Sequence, residues 1–139
     1  VKKFANKLYV YKEENNMSAT VEVPVISLIQ GGNPTQKCID LCVKCSQICQ
    51  ECFSMCLQEA DVEARGTCIK TLQDCAEICS TAACLMARGS GFSKEICQLC
   101  ASVCQECQNE CREFKDEHCQ VCAHVCSECA AECTNMINM

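Results

Sequence analysis

Residues 38–56 read CIDLCVKCSQICQECFSMC, with cysteines at 38, 42, 45, 49, 52 and 56. Intervals of four, three, four, three and four track the 3.6-residue turn of an α-helix, so all six side chains fall on one face. In a helix packed inside a bundle this seam is ordinarily filled by leucine. Here every position on it carries a thiol.

The same seam recurs along the rest of the chain. The first segment spans about 35–59, with Pro34 and Thr35 as its start signals. The second spans about 62–88, stops at a Gly-Ser-Gly, and has the seam Cys68, Leu72, Cys75, Cys79, Ala82, Met86. The third spans about 93–114, with Ser93 as N-cap and Glu95 in its first turn, and presents Cys97, Cys100, Cys104, Cys107 and Cys111. The fourth spans about 116–136 and presents Cys119, Cys122, Cys126, Cys129 and Cys133, with Met136 one step beyond. None contains an internal proline, and the connections are short, so consecutive helices run antiparallel. The fold class predicted for residues 35–139 is all-α: an up-down-up-down four-helix bundle with a cysteine-lined lumen. Cys84 lies nine residues from Cys75, two and a half turns away, which puts it on the opposite face. Met55 and His124 also fall off the seams and read as flanking or exposed.

Residues 1–34 differ in kind and read as an N-terminal extension. They hold no cysteine, and VEVPVISLI (21–29) alternates like a short strand before the QGGNP breaker. Lys2, Lys3 and Lys7 are basic, but YVYKEENN follows where the apolar stretch of an export signal would stand. Met17 is a candidate initiator. The expectation is a cytoplasmic protein, whose thiols are kept reduced.

Composition narrows the function. The chain has 139 residues, twenty of them cysteine, with no tryptophan and only two tyrosines and four phenylalanines. A net charge of −6 argues against nucleic acid or an anionic membrane surface as partner. No apolar run reaches the ~18–20 residues of a transmembrane helix. Cysteine can serve as a small hydrophobe, but filling nearly every seam position with it leaves a thin core with no reason to avoid leucine. Disulfides within a helix are strained, because Cβ atoms at i and i+4 stand ~5–6 Å apart where a bridge wants ~3.5–4.5 Å. Zinc prefers four ligands from CxxC pairs on loops, whereas the CxxC pairs in CQLCASVCQEC and CQVCAHVCSEC lie inside continuous helical patterns. Iron–sulfur spacing is absent.

Cu(I) suits the pattern best. It is soft, selects thiolate and thioether, and accepts two or three ligands. The CxxxC pairs Cys38–Cys42, Cys45–Cys49, Cys52–Cys56, Cys75–Cys79, Cys100–Cys104, Cys107–Cys111, Cys122–Cys126 and Cys129–Cys133 each aim two sulfurs along one face. Bridging thiolates give a capacity on the order of one copper per lumen thiol. Bare packed thiolates repel, so the metal-free protein is expected to hold its thiols protonated and to release protons on loading.

In CIDLC, CAEIC, KEICQLCASVCQEC and HCQVCAHVCSECAAEC, over about residues 36–136, the chain resembles the cytosolic four-helix-bundle copper storage proteins of bacteria. The resemblance implies a lumen filled with multiple Cu(I) ions, seam cysteines as ligands, no catalysis, and a homo-oligomer, often a tetramer. His118, beside Cys119, resembles the histidine that cytosolic members keep near one mouth. Copper delivered by a copper chaperone or by small thiols is the expected partner.

Antiparallel topology gathers Cys38, Met86, Cys97, Cys133 and Met136 at one mouth, and Cys56, Cys68, Cys111, Phe114, His118 and Cys119 at the other. The methionine-lined end is the expected point of copper entry, because a thioether binds Cu(I) without losing a proton. Three competing readings stay open on sequence alone. They are a thiol redox buffer or disulfide-exchange protein, a zinc-binding cysteine-rich protein, and a docking role for the extension toward a partner or shell protein.

Overall fold

The cysteine seams become four long helices. A computed structural model describes residues 6–12, 18–24 and 27–139, with side chains from residue 27 onward. Helix α1 is Gln36–Cys56, α2 is Gly66–Ala87, α3 is Ser93–Arg112 and α4 is Glu117–Ile137; a short 3-10 helix, Val62–Arg65, precedes α2. Each helix packs against its neighbour in sequence, and α1 closes the ring on α4. Cys38 at the start of α1 meets Cys133 at the end of α4, and Cys68 at the start of α2 meets Cys111 at the end of α3. The bundle is therefore antiparallel, up-down-up-down, as its short connections require.

What fills the centre is unusual. The most deeply buried side chains are the seam cysteines with Leu72, Ala76, Ala82 and Met86. Apolar bulk sits beside the seams instead: Ile39, Ile48, Phe53, Ile69, Ile78, Ile96, Val103 and Phe114 are partly buried against the sulfur core. Each such side chain contributes on the order of 1 kcal/mol through the area it removes from water. Small residues flanking the seams, Ala76 and Ala83 on α2 and Ala123 and Ala130 on α4, are buried too. Ser46 on α1 ties its hydroxyl to the Ala76 carbonyl of α2 at 2.8 Å.

None of the four helices starts with a side-chain cap hydrogen bond. Ser93 is the first residue of α3, with Phe92 at the N-cap, because its hydroxyl donates to the Ser90 carbonyl at 2.8 Å and caps nothing. Asp116 stands at the N-cap of α4 but makes no cap hydrogen bond; its carboxylate turns to Arg65. The stop of α2 is well formed. Gly89 has φ +63°, its N–H donates to the Met86 carbonyl (3.1 Å), and the Ser90 N–H donates to the Leu85 carbonyl (2.9 Å), which is a Schellman motif.

The chain divides into two compact units, residues 1–34 and 35–139. In the first, β1 (Asn6–Lys12) pairs antiparallel with β2 (Ser18–Pro24), Tyr9 opposite Val21. Of the strand anticipated over 21–29, residues 21–24 lie in β2, which begins at Ser18, whereas Leu28 and Ile29 sit in bends before Gly31 and Gly32 at positive φ. Its partner β1 carries the β-formers Tyr9, Val10 and Tyr11, in the stretch that reads against an export signal. Lys2, Lys3, Met17, Val25 and Ile26 lie outside the described residues. Among the described residues no helix is long and apolar enough to cross a membrane.

Candidate metal centre

Cys84 is exposed and the other nineteen cysteines are buried, none of them in a disulfide. Within a helix the paired sulfurs stand 3.9 Å apart at Cys45–Cys49, Cys75–Cys79 and Cys100–Cys104, and 4.0 Å at Cys52–Cys56. Contacts between helices are as close. Cys79 lies 3.5 Å from Cys104 and 3.6 Å from Cys100, and Cys42 lies 3.7 Å from Cys129 and 3.8 Å from Cys133. Cys49 lies 3.8 Å from both Cys122 and Cys126.

These contacts build successive layers. Cys42, Cys100, Cys129 and Cys133 form one four-sulfur group; Cys45, Cys75, Cys79 and Cys104 another; Cys49, Cys107, Cys122 and Cys126 a third. The groups overlap, since Cys45, Cys49, Cys75 and Cys126 also make a group among themselves. A donor common to two groups could bridge two ions, an arrangement that suits thiolate with Cu(I) rather than isolated tetrahedral zinc.

The protons are shared out by the same contacts. Hydrogen bonds from Cys104, Cys107, Cys126 and Cys45 pull Cys75 down, while bonds to Cys100 and Cys104 push Cys79 up. Near the lumen's ends two thiols, Cys119 and Cys97, hold their protons, while contacts with Cys133 and Cys111 pull Cys38 and Cys68 down. Burial and the neighbouring Cys56 push Cys119 up to about 12. At Cys97, Cys133 pulls down, but Cys38 and burial outweigh it and raise the group to about 12.

The two mouths differ. At one, Met86 and Met136 are 2% and 4% exposed, and the Cys97 thiol donates to the Met86 thioether at 3.5 Å. A depression of about 330 Å³ lies outside, touching Met136 and Met139. At the other, His118 turns Nδ1 inward, 3.4 Å from Cys52 Sγ and 3.6 Å from Cys119 Sγ. Its Nε2 meets Glu59 at 2.9 Å, a carboxylate partner that fixes the ring. Cys52, Cys56, Cys119 and His118 form a four-donor group. A depression of about 300 Å³ bordered by Met55 reaches Cys52 and His118. His124 points outward beside Glu128, and Met55 is about half exposed.

Sequence reasoning missed three residues here. Arg65 is 3% exposed and reaches two lumen sulfurs; Glu59 holds His118; Gln108 is buried on α3. Arg65 and Glu59 lie between helices, off any seam, so no periodicity marks them.

Fold and lattice together define a class: a helical bundle enclosing a dense array of soft donors. The family model for copper storage proteins (Csp) matches residues 32–138. The chain belongs to the copper storage protein family. It is 40% identical over 84 residues to the cysteine-rich protein YhjQ of Bacillus subtilis, covering 60% of this chain and 78% of that one. It superposes with TM-score 0.71 and 40% identity on Cu(I)-bound BsCsp3 from Bacillus subtilis, over 74% of this chain and 97% of that one. A cytosolic copper storage protein from Streptomyces lividans, seen during copper loading, gives TM-score 0.73 and 34% identity over 76% and 92%.

Proposed function

We infer that this protein binds and stores many Cu(I) ions on the thiolates lining its bundle. The observation that carries this is the lattice itself: nineteen buried sulfurs, with neighbouring contacts of 3.5–4.0 Å and overlapping four-donor groups along the lumen. Each Cu(I) held by two thiols displaces two protons and leaves a complex with one negative charge; bridging sulfurs lower that charge per metal. No substrate, water or leaving group need be activated, so the role is storage and sequestration, without catalysis.

Finer features follow from the same reading. The seam cysteines are the ligands, His118 terminates the array at its end, and Met86 and Met136 pass copper in and out at the other. Residues 35–139 form the storage bundle and 1–34 an extension. The protein works in the cytoplasm, where copper reaches it from a chaperone or small thiols, and it assembles with copies of itself. Thiol–disulfide exchange fits less well. That chemistry needs an accessible low-pKa cysteine near a helix N-terminus, whereas Cys84 is exposed in the last turn of α2.

An anaerobic titration of reduced protein with Cu(I) against a chromophoric chelator tests the storage reading. Uptake on the order of one copper per buried thiol is expected. Saturation at one or two ions would return the lattice to zinc or redox chemistry.

A further inference from the structure

The mouth opposite the methionines is closed by a cation. Arg65, in the turn between α1 and α2, buries its side chain against Phe114, with the guanidinium carbon 4.4 Å from the ring centroid. Its Nε donates to Asp61 at 2.7 Å, and its Nη2 stands 2.6 Å from Asp116 Oδ2, an enclosed oxygen outside hydrogen-bond geometry. Those carboxylates occupy two edges of the fork. The remaining edge, Nη1, faces the lumen, 3.6 Å from Cys56 Sγ and 3.5 Å from Cys119 Sγ, and these sulfurs are 3.7 Å from each other.

A guanidinium has donors and no acceptor, so Nη1 can only give hydrogen bonds to sulfur. Such bonds strengthen when the sulfur becomes a thiolate, because donor and acceptor are then both charged. When Cys56 and Cys119 take up one Cu(I), two protons leave for solvent and the complex carries one net negative charge. Burying that charge is costly unless something nearby answers it. Most of the lattice offers only other sulfurs. This end offers a fixed cation held in place before metal arrives.

We propose that Arg65 is an outer-shell partner for bound copper, donating through Nη1 to the thiolates of Cys56 and Cys119, so that the Cys52–Cys56–Cys119–His118 group fills first and empties last. Arg65 is a positioning residue and does not touch the metal. The proposal rests on the storage reading above. It adds a direction to the lumen: copper enters at the methionine end and is held most tightly beside Arg65. Outer-shell donors of this kind alter metal affinity by about ten- to a hundredfold.

The test compares the full-length protein with Arg65→Met and Arg65→Lys in chelator-competition titrations with Cu(I), at low and at saturating load. Arg65→Met is expected to keep the saturating capacity and to lose about ten- to a hundredfold in affinity for the first copper bound. Arg65→Lys should lose less, since it keeps the charge without the fork. A purely structural role for Arg65 would lower the melting temperature and leave affinity alone, or weaken all loads alike; either result overturns the proposal. Should Arg65→Met fail to fold, the guanidinium N–H signals of Arg65 in the unmutated protein decide by NMR. They must shift with the first equivalent of Cu(I), and a response only near saturation overturns the proposal. Failure of the storage reading is distinct: the unmutated protein itself would take up only one or two ions.

Discussion

A thioether and a thiol at neighbouring positions bind the same ion on different terms. Cysteine must lose a proton to become a good ligand, whereas methionine binds Cu(I) neutral and lets it go more readily. Met86 accepts a hydrogen bond from Cys97 at 3.5 Å, so a copper on the thioether would stand next to the first thiol of the array. Replacing both rim residues, Met86→Leu with Met136→Leu, keeps the volume and removes the soft ligand, at a stability cost below about 1.5 kcal/mol each. Stopped-flow loading and chelator-driven release are each expected to slow several-fold, with the capacity unchanged. Rates equal to those of the unmodified protein would remove the methionines from the transfer path. At this scale the sequence told most. A step of three or four fixes which face a side chain occupies, and it also singled out Cys84 as exposed. Arg65 was illegible for the same reason: its contacts depend on how a turn folds back over the lumen, which no local spacing records.

Elements depend on their ends as much as on their seams. Helix α2 stops at Gly89, whose φ of +63° is strained for any residue with a Cβ. A methyl group there meets nothing within 4 Å, so Gly89→Ala tests conformation without a steric clash. The variant should lose about 1–2 kcal/mol of folding stability in urea titrations of the metal-free protein. Its copper uptake should match the unmodified protein, since the seam is untouched. A loss of copper capacity would mean that the helix end controls the lumen's register. The four helices were legible because their seams repeat a period no strand shares. Their caps were less so: Ser93 looked like an N-cap by residue type, yet its hydroxyl finds a nearer carbonyl. The β1–β2 pairing escaped because it joins two stretches across an acidic, asparagine-rich segment with no strong hairpin turn pair between them.

For the whole molecule, the lattice makes folding and metal binding answer to pH in opposite ways. In the metal-free state Cys119, driven by burial and Cys56, and Cys97, where Cys38 and burial outweigh the pull of Cys133, are raised from 9.0 to about 12. A thiol that holds its proton more tightly folded than unfolded stabilises the fold fully below pH 9.0, and that contribution is lost as pH rises through about 12. Through these two thiols the metal-free bundle should weaken in the alkaline range. The loaded bundle has already given up those protons. Its stability includes the binding free energy of copper, about 4 kcal/mol for each independent site when free metal is a thousandfold above its Kd. As pH falls, protons compete for the sulfurs, and that contribution shrinks. Arg65 lowers the Asp116 carboxyl in the metal-free protein, so this ion pair adds a loss of stability toward acid that is separate from the thiols. Thermal unfolding of both forms from about pH 5 to about pH 11 should thus give a melting temperature that falls toward alkali without copper and toward acid with it. Parallel curves would mean that the sulfurs keep the same protonation with and without metal. That is incompatible with thiolate ligation, because a lattice this dense can exchange protons for copper only if the two states disagree about pH.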